Sequence, residues 1–352
     1  MTSSDRRPRK TPNEPRGGSG PRPLSLISSR SQLSKAAQLY YIEEISQHQI
    51  ARRMNVSVAS VSRALDKARK LGIVRITIHA DADDFSQLEV ALEQAFGLRE
   101  CLLVPSFEQI EHVYAAMARS LAEILSRVLR RGDTLGLSWG ETLKAMGEKM
   151  PPVPVRGVDV VPITGALGMI DTGIYPSSLA RAFADKIGGT PYLINTPAIV
   201  GSAAIRHSLI SDSSFQQIRE MWKRLNVVVL GAGGLGKDSS MYRASIFSAS
   251  ELEAMQEAGG VAACNFMIFD DLGKPVRAEV ADRMVKLPLV ELKHVEHRVL
   301  VAGGRNKVNA LKAILRSNLA NALVTDVESA QALLPDTTDA ALPAPRRSEK
   351  KP

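Results

Sequence analysis

Apolar positions between residues 46 and 71 repeat at helical spacing in two short runs. Ile50 and Met54 lie one turn apart, and beyond Asn55 and Val56 a second stripe follows in Val58, Val61, Leu65, Ala68 and Leu71. Each run opens on a serine: Ser46, with Gln49 three residues on where a capping-box side chain reaches back, and then Ser57. Gly72 supplies a left-handed stop. Two short helices joined by so tight a turn predict a helix-turn-helix, whose second helix enters a major groove of DNA. Upstream, Leu33, Ala36, Ala37, Tyr40 and Tyr41 predict a further helix within residues 32–45. Downstream, Ile73-Val-Arg-Ile-Thr-Ile-His79 alternates apolar and polar residues and predicts a strand, where a winged motif carries its wing.

The short acidic run Asp81–Asp84 marks a boundary, and the pattern then changes. A stripe of Phe85, Leu88, Leu92 and Phe96 predicts a helix ending at Gly97. Strands follow at 101–104, 134–137, 158–163, 192–194, 227–230, 265–269, 299–301 and 322–324. They alternate with helices at 110–129, 179–187, 215–225, 252–258 and 308–315. Uninterrupted apolar strands such as Asn226-Val-Val-Val-Leu230, separated by amphipathic helices, indicate an α/β domain with a mainly parallel sheet. The expected organisation is a basic disordered tail over 1–30, the helix-turn-helix over 31–80, an α/β effector domain over 81–334 and a disordered tail over 335–352.

Charge sharpens this division. Of the formal net +8, residues 1–30 carry +5, residues 31–80 another +5, residues 81–334 minus 3 and the last eighteen +1. The basic excess therefore lies on and beside the predicted reader, as phosphate binding requires. The leading Arg-, Pro- and Gly-rich arm suits either added non-specific DNA affinity or simple solubilisation. Two cysteines exclude a disulfide framework and a cysteine zinc site, and no signal peptide or long apolar run is seen, so a soluble, cytoplasmic protein with no membrane partner is expected.

The outward positions of the second helix carry the candidate DNA contacts: Ser57, Ala59, Ser60, Ser62, Arg63 and Lys67, with Arg69 and Lys70 beyond. Small and hydroxylated groups permit close approach at the helix start, and Arg63 is the side chain able to bond guanine through two hydrogen bonds.

In parallel sheets ligands bind where strands end. Three glycine-bearing loops fall there: Gly136-Leu-Ser-Trp-Gly-Glu-Thr142, Gly231-Ala-Gly-Gly-Leu-Gly236 and Ala302-Gly-Gly-Arg-Asn-Lys307. Free amides with Ser138, Gly140 and Thr142, the backbone at Gly231 and Gly233, and Gly303, Gly304 and Lys307 make a candidate site for a phosphorylated small molecule. The second loop also matches the dinucleotide fingerprint GxGxxG. A polar stretch after Gly236 stands where that motif needs a packed helix, so the match is weak and no cofactor is expected. His294 and His297 lack a placed third ligand, and no metal is expected.

Leu39-Tyr-Tyr41, Gln49-Ile-Ala-Arg-Arg-Met54, Val61-Ser-Arg-Ala-Leu65, Gly72-Ile-Val-Arg-Ile76, Gly136-Leu-Ser-Trp-Gly140, Val301-Ala-Gly-Gly304 with Lys307, and Val324-Thr-Asp326 stand in one order from about residue 33 to Asp326. In these the chain resembles the SorC family of bacterial sugar-binding transcriptional regulators. The resemblance implies an effector domain similar in fold to sugar-phosphate isomerases and deaminases. It implies a sugar or sugar phosphate held by the loops at Ser138–Thr142 and Gly303–Lys307, a double-stranded DNA operator, and a homo-oligomer, dimer or tetramer. One departure stands out: an acid usual in the family falls on Ala263 here, which suggests a less hydroxylated ligand and argues against proton-transfer catalysis. A sugar-phosphate enzyme with an appended DNA reader remains the alternative.

Overall fold

The computed structural model describes residues 27, 29–74, 84–167, 175–236, 239–243 and 246–334. The expected tails, apart from Ile27, Ser29 and Arg30, lie outside the described residues, as does the expected wing strand from Arg75 onward. The chain divides into two compact units, Met1–His79 and Ala80–Pro352.

The first unit packs three helices, α1 (Arg30–Tyr41), α2 (Gln47–Met54) and α3 (Val58–Lys70). Its core joins Ile27, Leu33, Ala36, Ala37 and Leu39 to Ile50, Val56, Val61, Ala64, Leu65 and Ala68. The predicted tail boundary at residue 30 is therefore late: Ile27 is buried, and Ser29 caps α1 through a capping box with Gln32. Ser46 and Gln49 form the predicted box on α2. Asn55 makes the turn in the left-handed conformation (φ 52°), and the Ser57 hydroxyl accepts from the Ser60 amide to start α3.

The second unit is a seven-stranded sheet, ordered β1-β9-β8-β5-β2-β3-β4, in which every pairing is parallel. In chain order it runs α4 (Ser86–Phe96), β1 (Glu100–Val104), α5 (Ile110–Val128), β2 (Thr134–Leu137), α6 (Glu141–Lys149), β3 (Asp159–Pro162), α7 (Pro176–Ile187), β4 (Thr190–Pro191), α8 (Ala203–Ser211), α9 (Ser213–Lys223) and β5 (Leu225–Gly231). It continues with α10 (Ser240–Arg243), α11 (Ala249–Glu257), the hairpin β6 (Ala262–Cys264) and β7 (Met267–Phe269), α12 (Leu289–His294), β8 (His297–Val301), α13 (Val308–Arg316), β9 (Ala322–Asp326) and α14 (Val327–Leu333). Both faces are covered. Val227, Val229, Val299 and Val301 pack toward α5, α6 and α7, whereas Val228, Leu230 and Leu300 pack toward α4, α9, α13 and α14. Each such side chain taken from water stabilises the fold by about 1.5–3 kcal/mol, which accounts for strands apolar on both faces.

Two predicted strands are corrected. The edge strand β4 is Thr190–Pro191 rather than 192–194, with proline tolerated because an edge strand has one face free of pairing. The apolar run 265–269 is not one strand but the end of a hairpin that turns through Asn265 and Phe266. Helix α8 escapes the sequence pattern because it has no buried residue, so it shows no stripe.

The chain order places a switch between β2 and β5. From β2 the chain proceeds outward to β3 and β4; from β5 it proceeds the other way to β8 and β9. The loops that leave adjacent strand ends there diverge and open a crevice, the usual ligand position in an open α/β sheet.

Candidate functional sites: a reading helix and a crevice pocket

On α3, Ala59, Ser62, Arg63, Lys67, Arg69 and Lys70 are exposed and Ser57 is partly so. Arg63 donates to the Ala59 carbonyl at 3.2 Å and is in no salt bridge among the described residues, whereas Arg69 and Lys70 share Asp66 at 3.6 and 2.9 Å. Ser60 is corrected. It is 5% exposed, and its hydroxyl lies 2.8 Å from that of Ser57, so it belongs to the cap and core and not to the outward face.

At the switch point a cavity of about 240 Å³ opens over the ends of β2, β5 and β8. Its size suits a single small metabolite and not a dinucleotide; pockets for drug-sized ligands run from about 300 Å³ upward. Lys307 enters from the loop after β8. Its ammonium donates to the Thr142 hydroxyl at 2.5 Å and to the Tyr114 hydroxyl at 3.4 Å, and lies 5.5 Å from the centre of the Tyr114 ring. Helix α6 begins at Gly140 (φ 151°) with no side chain capping it, so its first amides add positive polarity where Glu141, Thr142 and Leu143 line the pocket. Trp139 and Phe266 also line it, stacked at 5.8 Å and 24°. Phe266 and Asn265 both have positive φ, 58° and 48°, the geometry of a tight hairpin turn. For a bulky aromatic this is strained backbone, held here by burial against Trp139 and Phe247. At the rim Arg243 and Glu141 form an ion pair at 2.6 Å.

The glycine loop after β5 is zipped to β6. Gly233 donates to the Ala263 carbonyl at 3.1 Å and accepts from the Ala263 amide at 2.8 Å. Its backbone thus completes a short antiparallel bridge beside the cavity, which explains the glycine spacing without a dinucleotide.

Residues 81–335 match a family described as "Putative sugar-binding domain". The deoxyribonucleoside regulator of Bacillus subtilis (strain 168) is 30% identical over 87% of this chain and 98% of its own. The sorbitol operon regulator of Klebsiella pneumoniae is 29% identical over 85% and 96%. The crystal structure of the full-length sorbitol operon regulator SorC from Klebsiella pneumoniae superposes with a TM-score of 0.68 at 27% identity, covering 86% of this chain and 98% of that one. The chain belongs to the SorC family.

Within this SorC-family chain, the predicted pocket residues Gly140, Thr142, Gly231, Gly233 and Lys307 line one cavity. Three others do not. Ser138 is buried, and its hydroxyl accepts from the Gly231 amide at 3.0 Å, which ties the ends of β2 and β5 together. Gly303 packs so closely that a Cβ would meet the Asp326 carboxylate at 2.9 Å and the Met117 sulfur at 3.0 Å. The Gly304 amide donates to Asp326 at 2.8 Å and to the Ser329 hydroxyl at 3.1 Å. Gly303 and Gly304 build the frame behind Lys307.

Asp326 is the centre of that frame. It also accepts from the Ser106 hydroxyl at 3.2 Å and from the Ser329 amide and hydroxyl at 2.9 and 2.7 Å. Burial raises its pKa, but the bonds from Ser329, Gly304 and Ser106 outweigh that and hold the carboxyl below the usual range. Tyr114, Asn265, Phe266, Arg243 and Asn306 line the pocket without having been singled out from sequence. The pair Asn265-Phe266 gave the one available signal, an asparagine interrupting an apolar run.

Proposed function

We propose that this chain is a DNA-binding transcriptional regulator whose operator affinity is set by a sugar or sugar phosphate bound over the ends of β2, β5 and β8. The observation that carries this is the placing of Lys307, Thr142 and the uncapped start of α6 around one metabolite-sized cavity, in a chain that also bears an exposed basic reading helix. An ammonium and converging amides favour a phosphate, and the Trp139–Phe266 stack offers an apolar wall to the sugar ring. Ala263 presents a methyl group where a carboxylate would bond a hydroxyl, which fits a ligand with fewer hydroxyls.

Regulation would act through a homo-oligomer. One short helix reads few base pairs, so specificity needs paired reading helices, and a ligand-driven change in their spacing alters operator fit. The relatives are named as regulators, and the pocket's carboxylate, Glu141, is engaged by Arg243 instead of standing as a general base. The test is a thermal-shift screen of sugars and sugar phosphates on the full chain, followed by binding to DNA selected with it. A hit should raise the melting temperature of the wild type but not of Lys307→Ala, and should change the DNA affinity. A hit that is turned over yet leaves DNA binding unchanged would select the enzyme reading instead.

A further inference from the structure

Away from the crevice pocket, a second cavity of about 230 Å³ lies between α8, α9 and the segment that leads into α12. Its walls combine the aromatic side chains of Phe215 and Trp222 with four cations, Arg206, Arg219, Lys223 and Lys286. Lys223 pairs with Glu220 at 2.8 Å, whereas among the described residues Arg206, Arg219 and Lys286 are in no salt bridge. Arg206 and Arg219 donate to backbone carbonyls, of Met284 at 2.6 Å and of Ile210 at 3.4 Å, which leaves other guanidinium nitrogens without an acceptor among the described residues. The Lys286 ammonium donates to the Phe266 carbonyl at 2.6 Å. Glu291 also lines the cavity but lies beyond ion-pair distance of all three.

Arg206 and Lys286 repel one another and are both partly buried, with the exposed Arg219 on the same cavity. An arrangement of this kind is costly until an anion neutralises it. The strain is legible at Lys286, whose pKa is pulled down to about 8 by burial and by the neighbouring Arg206. We infer that this cavity is a second ligand site, which takes a small organic anion with its acid group on Arg206, Arg219 and Lys286 and its apolar body against Phe215 and Trp222. Helix α8, which forms one wall and buries none of its residues, can adjust to the ligand without breaking a core. Lys286 also links the site to the effector pocket, because the carbonyl that it bonds belongs to Phe266 of that pocket's wall.

The two tryptophans of the chain separate the two sites, Trp139 lining the effector pocket and Trp222 this cavity. Benzoate is titrated against full-length Trp139→Phe protein, so that emission reports Trp222, with inorganic phosphate in a parallel series. The expected result is a saturable benzoate response, weakened at least tenfold by Arg219→Gln and by Lys286→Met, unchanged by Lys307→Ala, and much weaker with phosphate. Arg219 is exposed, so its variant keeps the test valid even if Lys286→Met fails to fold. An unsaturable response, indifference to Arg219→Gln, loss on Lys307→Ala, or equal affinity for phosphate would each overturn the assignment.

Discussion

Lys307 donates to the Thr142 hydroxyl at 2.5 Å, joining the loop after β8 to the first turn of α6 across the crevice pocket. A hydroxyl has one hydrogen to give and two lone pairs, so Thr142 can go on accepting from Lys307 while donating to a ligand oxygen. The amine is thus aimed before any ligand arrives, with the Tyr114 ring behind it.

Lys307→Ala should therefore weaken a phosphorylated effector while leaving DNA affinity intact. A hydrogen bond to a charged group contributes about 1.5–3 kcal/mol, which corresponds to roughly ten- to hundredfold in affinity. Thr142→Val should give a smaller loss of the same kind. Calorimetric titration of wild type and both variants measures it, and equal affinities would remove Lys307 from the site. If the effector is an aldehyde, the same amine can form an imine, which borohydride reduction and peptide mass would reveal at Lys307.

On the reading helix, Arg63→Ala and Ser60→Ala should part company. Loss of a two-bond guanine contact costs about 1–3 kcal/mol of discrimination, so Arg63→Ala should weaken operator DNA more than random DNA. Ser60→Ala removes a buried hydroxyl bonded to the Ser57 cap, and should lower the melting temperature with little change in sequence preference. Equal losses on both DNAs for Arg63→Ala would make it a phosphate contact.

The same contrast shows what the sequence made legible. Caps at Ser46 and Ser57, the turn at Asn55, the apolar strands and the glycine loops after them all follow from local chemistry, whereas the strand order that sets β2 beside β5 and opens the crevice does not. Ser60 carries a hydroxyl that reads as exposed, yet it stands one turn before buried Ala64 on the same stripe. Ser138 and Gly303 sit in the right loops but turn inward, since a loop's position is set by strand order and its side-chain direction by packing. Tyr114 comes from the middle of the first turns of α5, where an aromatic reads as core, and α8 carries no stripe to read.

Asp326 offers a test of the frame behind Lys307. Its folded-state pKa is lowered, so its stabilising contribution is complete above the ordinary aspartate pKa of about 4 and lost as pH falls through the lower folded value. Asp326→Ala strands the buried Ser329 amide and hydroxyl, at about 1–3 kcal/mol for each donor left unmatched. Denaturant unfolding between neutral and strongly acid pH should show a shallower acid loss in Asp326→Asn than in wild type. Parallel curves would show that the carboxyl is not held below its usual range.

Lys286 predicts the opposite limb. With a folded pKa of about 8 against an ordinary lysine value near 10.5, the unfolded chain binds the extra proton between those values. Stability attributable to this residue is therefore lowest and constant below pH 8, rises with pH through that window, and levels off above it. The full span is on the order of 3 kcal/mol. Burial is the largest cause of the shift, and Arg206 adds to it by opposing the charge. Lys286→Met should flatten the alkaline rise, read as the difference between the two proteins' unfolding free energies at pH 7.5 and pH 10. Saturating benzoate should flatten it too in the wild type, since an anion beside the ammonium restores the charged form. A wild-type rise that survives Lys286→Met unchanged would place the titrating group elsewhere.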